Sequence, residues 1–246
     1  MEKLKIHPIP LFIGADRFAK PKMTYLHYFG EDVHVCCYTW YVEGAEKNVL
    51  VDTGGTAQTV VARGRPKDSV THVQTLEEGL AKYDLKPDDI DTVIITHLHW
   101  DHIELAYKYK NARFIVQEEE LNIASDPELA GEGYTQELFQ KVNFDVVKGD
   151  TEIMKGIRVL STPGHSVGGQ SVAIETEEGT AVIAGFCCIG ENFEPDEETK
   201  KRTQFIIPGI HLSVSKSRES MLKVIEVADI IVPLHEPKYA DISTIP

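Results

Sequence analysis

"DTVIITHLHWDH", residues 91–102, joins the apolar run Val93-Ile94-Ile95 to three histidines and an aspartate within the next seven residues. The β-branched run reads as a short buried strand over residues 92–96. A loop then starts at the C-terminal end of that strand, where ligand sites collect in layered α/β folds. His97 and His99 are two apart, so in extended backbone their side chains share a side. Asp101 and His102 follow at once, and a turn there can aim them at the same point. Burying this many ionisable groups without compensation is expensive. Imidazole and carboxylate are ligands that suit zinc, iron or manganese. The stretch therefore reads as part of a metal-binding loop. Trp100 sits inside that loop, so it lies near the metal whichever way it points.

A metal ion needs more protein ligands than one short loop supplies. Two further segments repeat the pattern. "STPGHSVGG", residues 161–169, follows a strand-like stretch at 157–160 and puts His165 in a glycine-rich turn. "IIVPLHEP", residues 230–237, places His235 on a loop after an apolar strand. Three histidine-bearing loops, each behind an apolar strand, strengthen one another.

The rest of the chain alternates short strands with helix-like stretches. Strands are expected over residues 33–42, 48–51, 112–116, 144–147, 151–154, 157–161 and 229–232. A hairpin of 170–175 and 180–185 closes through "TEEG". Helices are expected over 68–83, 102–110, 118–124, 135–142 and 213–228, the last capped by Ser213 or Ser215. This order suggests an α/β protein built as a four-layer αββα sandwich, two sheets face to face with helices outside, forming one domain over residues 1–246. The segment 6–29, with Pro8 and Pro10 and then Tyr25, Tyr28 and Phe29, is expected to form a homodimer contact or a lid.

Composition narrows the partners. The 246 residues carry a formal net charge of −14, with 42% hydrophobic and 26% charged residues. Such a chain repels nucleic-acid phosphate and anionic membrane surfaces, so the partner is a small molecule. The acidic run Glu118-Glu119-Glu120 reads as a solvated face. No apolar run is long enough for a membrane span, and no signal peptide is evident, which points to the cytoplasm. The cysteines form two adjacent pairs, Cys36-Cys37 and Cys187-Cys188. Neighbours on a strand face opposite ways, so each pair reads as reduced thiols, one pointing inward and one outward.

The H-x-H-x-D-H motif, the "TPGHS" histidine, the late histidine after a strand and "VLVDTGG" upstream resemble the metallo-β-lactamase superfamily over about residues 33–240. Within it, "HLHWDH", "ENFEP" and "IPGIH" are similar to the N-acyl-homoserine lactonase-like group. The resemblance implies that His97, His99 and His165 hold one metal and that Asp101, His102 and His235 hold a second. It also implies a metal-bound hydroxide as nucleophile, Asp101 as proton carrier to the leaving group, and Asp52 bracing a histidine or its loop. The cofactor would be one or two zinc ions, or manganese or iron. The family's bridging aspartate is replaced here by Phe186, in "VIAGFCCIG", and Ile189 stands near the place of a substrate-contacting tyrosine. One tight and one loose metal, a substitute ligand from Glu191, Cys187 or Cys188, or two metals bridged by hydroxide alone are the alternatives. Trp100, His211 and Phe186 are the candidate substrate contacts. The expected activity is metal-dependent opening of a cyclic ester or cyclic amide. The alternatives are hydrolysis of an acyclic ester, thioester or phosphoester, or metal binding with catalysis lost.

Overall fold

The structure is a computed structural model that describes residues 3–14, 18–126, 128, 131 and 133–245. Among these, two mixed sheets carry the fold. The first holds β1 (Lys5–Gly14), β2 (Val35–Glu43), β3 (Val49–Val51), β4 (Val70–His72), β5 (Thr92–Ile94), β6 (Arg113–Gln117) and β7 (Phe144–Val147), in the order β4-β1-β2-β3-β5-β6-β7. The second holds β8 (Thr151–Met154), β9 (Ile157–Ser161), β10 (Gln170–Thr176), β11 (Gly179–Ala184) and β12 (Ile230–Pro233), in the order β12-β11-β10-β9-β8. The helices are α1 (Ala57–Ala62), α2 (Leu76–Ala81), α3 (Trp100–Ile103), α4 (Glu118–Ser125), α5 (Gly190–Phe193), α6 (Glu197–Lys200) and α7 (Val214–Val227).

The period of two along β2 shows how the layers form. Cys36, Tyr38, Trp40 and Val42 enter the core between the sheets, beside Val159, Val172 and Ile183. Cys37 and Tyr41 point the other way, into a second core with Leu76 and Leu80 of α2 and Ile103 of α3. Met221 and Val224 of α7 pack on the second sheet beside β11. Burying each such aliphatic side chain is worth about 1.5–3 kcal/mol, so alternation alone fixes which face meets which layer. All four cysteines are reduced and buried. Cys188 joins the inter-sheet core, while Cys187 packs with Met23 and Ile189.

Several expected elements need correction. Residues 6–14 do not form a lid: they belong to β1, which pairs along its length with β2. The prolines fit because, ahead of the register shift between Pro10 and Phe12, even-numbered residues turn their backbone away from β2. Ile6 exchanges hydrogen bonds with Ile245, and the Pro10 carbonyl accepts from Gln74, so neither proline leaves a gap in the β1–β2 ladder. Residues 15–17 of the 6–29 segment lie outside the described residues. The helix expected over 68–83 is only α2. Val70–His72 instead forms an edge strand against Phe12–Gly14, and a capping box of Thr75 and Glu78 starts the helix afterwards. Residues 102–110 split into α3 and a 3₁₀ turn at Ala106–Lys108, and residues 135–142 keep only a 3₁₀ turn at Gln136–Leu138. Glu120 leaves the solvated face expected of its run and is fully buried at 0% exposure. Among the described residues, no helix is long and apolar enough to cross a membrane.

Candidate metal centre

The site gathers at the ends of four strands. Asp52 follows β3, His97 lies three residues after β5, His165 four residues after β9, and His235 two residues after β12. Asp52 has φ of 57°, a left-handed conformation that aspartate tolerates better than most residues. That bend turns its buried carboxylate onto the H-x-H-x-D-H loop. One oxygen accepts from the Thr96 amide at 2.7 Å, and the other accepts from the Thr96 hydroxyl and from His102 Nδ1, both at 2.8 Å.

Two sets of three donors result. One donor atom from each of His97, His99 and His165 lies within 4.8 Å of the others, and so does one from each of Asp101, His102 and His235. The sets abut, with the His97 and His102 rings 4.1 Å apart. Four of the histidines have Nδ1 tied from behind. Nδ1 of His165 donates to the Ile210 carbonyl at 2.7 Å, and Nδ1 of His235 to the Cys36 carbonyl at 3.1 Å. His102 Nδ1 donates to Asp52. Because the Thr96 hydroxyl gives its proton to Asp52, its oxygen accepts from His97 Nδ1 at 3.1 Å. For the neutral His97, His165 and His235 this leaves Nε2 with a free lone pair, and His97 Nε2 and His165 Nε2 converge to 3.1 Å. Buried lone pairs aimed at one another lack a donor between them, and a cation answers that arrangement.

Protonation fits the same chemistry. Burial holds His97 and His165 well below the ordinary imidazole value, and nearby histidines push them further. Burial pushes His99 down to about 4, and it lowers His235 as well. All four are therefore neutral near pH 7, the form that ligates metal. His102 differs. Burial would lower it, but the Asp101 charge and then the Asp52 charge push it up to about 10. Burial would raise Asp101, but His102, with its Nε2 3.4 Å from the Asp101 carboxylate, drives it well below the usual range.

The remaining residues singled out from sequence fall around this cluster. Trp100 is half-buried, stacked on Phe12 at 6.2 Å and covered by the Arg63 guanidinium at 5.4 Å. His211 lies one residue beyond the carbonyl that holds His165, fixed by Pro208 and by an edge contact with Tyr25. Phe186 is 3% exposed and lies in the inter-sheet core beside Phe193. Glu191 is paired with Lys20 at 3.0 Å, and the Cys187 thiol faces the Met23 sulfur. Among the described residues, neither donor set includes Glu191, Cys187 or Cys188. Sequence reading missed Tyr134. Its ring packs edge-on with His99, centroids 4.8 Å apart, and neighbouring Gly133 is needed because a Cβ there would lie 2.5 Å from the His99 ring.

Residues 36–185 match the family model of the metallo-beta-lactamase superfamily. The chain belongs to this superfamily. An N-acyl homoserine lactonase of Bacillus thuringiensis is 32% identical to it over 174 residues, covering 66% of this chain and 67% of that protein. The lactonase AiiB of Rhizobium rhizogenes is 27% identical over 186 residues, covering 67% of each. Among solved structures, a mutant of B. thuringiensis AiiA with N-decanoyl-L-homoserine bound at the active site superposes with a TM-score of 0.75 at 25% identity, over 98% of this chain and 95% of that one. An N-acyl homoserine lactone hydrolase with the product N-hexanoyl-L-homoserine at its catalytic metal centre gives 0.74 at 25% identity, over the same shares. This superfamily member therefore has the four-layer metallo-β-lactamase fold, and it is a metal-dependent hydrolase of lactonase-like type.

Proposed function

We propose that this protein opens the ring of a lactone, with N-acyl homoserine lactones as the leading substrate class, in a single hydrolase domain spanning both sheets. The observation that carries the reading is the pair of abutting donor triads, in a chain similar to lactonases. His97, His99 and His165 would hold one divalent ion, and Asp101, His102 and His235 a second, zinc in our reading, since imidazole and carboxylate suit it. When bound, the ions supply Lewis-acid activation of the carbonyl and of water.

Hydrolysis adds water across the ring C–O bond. The water oxygen ends on the acyl carbon, and the ring oxygen leaves with a proton. Asp101 is the group we assign to carry that proton, because it is ionised and more exposed than His102 beside it. Asp52 holds His102 and the Thr96 amide, so it orients both triads from behind. Trp100, within the donor loop, and His211, beside the Ile210 carbonyl that holds His165, are the substrate contacts in this reading. Phe186 serves as packing between the sheets.

Zinc-loaded protein offered N-acyl homoserine lactones, matched cyclic imides and thioesters tests this reading. The lactones should show the highest kcat/KM. Faster thioester or imide cleavage, or turnover of none of them, contradicts it.

A further inference from the structure

Glu120 is the third carboxylate of an acidic run, yet it is buried completely inside α4. Its Oε1 accepts from the Leu98 amide at 2.9 Å and from the Tyr134 hydroxyl at 3.0 Å. Its Oε2 accepts from the Gly168 amide at 3.0 Å. Leu98 stands between His97 and His99. Gly168 lies three residues after His165. Tyr134 packs its ring edge-on with His99 and forms a backbone bridge with it. One carboxylate thus ties together the three segments that shape the first triad. The fit is close, since a Cβ on Gly168 would lie 2.1 Å from the Glu120 amide nitrogen.

A neutral group could make such ties. A short way off, the sheets are joined by amides: Gln117 Nε2 donates to Gln170 Oε1 at 2.9 Å, and Gln170 Nε2 donates to the Ile95 carbonyl at 2.7 Å. A buried carboxylate is far costlier than an amide. Here burial raises its pKa against the pull of the Leu98 and Gly168 amides. The charge needs a purpose beyond joining loops. The His97–His99–His165 triad has no anion of its own, whereas Asp101 belongs to the second. We infer that Glu120 is a positioning residue of the first triad, fixing its two histidine loops and lending negative charge from outside the ligand set. This rests on the assignment of the triads to metal ions.

The test uses full-length protein and cobalt(II), titrated against a chelator and followed by visible absorption. In a His235→Ala background only the first triad is complete. In a His97→Ala background only the second is. Adding Glu120→Gln keeps the size but removes the charge and one acceptor. It should weaken cobalt binding about tenfold or more in the first background and leave the second unchanged. Equal weakening in both means general loosening of the fold and overturns the inference, as does no weakening in the first. If Glu120→Gln does not fold, Tyr134→Phe is read in the same two backgrounds. It removes one donor to Glu120 and should give a smaller weakening confined to the first triad, with a null or an equal effect counting against the inference. Failure of the parent reading looks different: the His97→Ala and His235→Ala parents would each still bind two equivalents.

Discussion

The two triads lie side by side but are kept ready in different ways. In His97, His99 and His165, burial does the work, holding neutral imidazoles with lone pairs turned inward. In the second set charge does it at Asp101 and His102, while burial keeps His235 neutral. His102 sits between the Asp52 and Asp101 carboxylates and keeps its proton up to about pH 10 while no metal is bound. The first set is an open cup. The second is closed on itself by an ion pair that a metal must displace. A buried cluster can thus be prepared either by stripping charge or by balancing it, and neighbouring residues in one loop, His97 and His102, fall on opposite sides of that divide.

The largest expected effect separates the cups. His97→Ala should remove the first ion and cut lactone turnover by roughly 10³-fold, the scale of several kcal/mol of lost Lewis-acid stabilisation. His235→Ala should lose only the second ion. Elemental analysis beside turnover checks both, and loss of both ions in either variant would merge the two sets into one. Next comes Asp101→Asn, which removes the proton carrier while preserving size. Turnover should fall about 10²-fold with the first ion retained, and unchanged turnover would exclude Asp101 from proton transfer.

The smallest effect is in the metal-free protein, where His102 and the other four site histidines pull stability in opposite directions. His97, His99, His165 and His235 have folded values below the unfolded 6.5, so below that pH only the unfolded chain gains their protons. Stability then falls as pH drops, by up to about 1.4 kcal/mol per pH unit for each such group. His102 has a raised value, so its contribution is complete below 6.5 and is lost as pH climbs towards about 10. Urea unfolding of chelator-treated protein from pH 5 to 10 should therefore peak near 6.5. His102→Gln should flatten the alkaline limb and leave the acid limb in place. A curve rising steadily to pH 10 would contradict the charge-balanced description of the second cup.

The donors were legible because each stands just past an apolar strand, so strand, loop and ligand are written within a few residues. What escaped depends on distant contacts. Pro8 and Pro10 conceal β1, because nothing local shows that their backbone faces away from β2. The apolar spacing of 68–83 suits a helix, but Val70 is claimed by the edge of β1 and only the Thr75 cap marks the true start. No pattern in Glu118-Glu119-Glu120 tells which carboxylate turns inward, since that is set by where Leu98 and Gly168 arrive. Tyr134 gave no signal beyond its adjacent Gly133. Phe186 was visible as a departure from the family pattern, but its place in the inter-sheet core became clear only with Phe193 packed against it.

The most direct test is anomalous diffraction at the zinc edge from crystals of zinc-loaded protein. Two peaks are expected, one about 2.0–2.1 Å from Nε2 of His97 and His165 and bound also by His99, the other bound by Asp101, His102 Nε2 and His235 Nε2. A single peak, or a peak whose ligands come from outside these six residues, would contradict the two-cup arrangement.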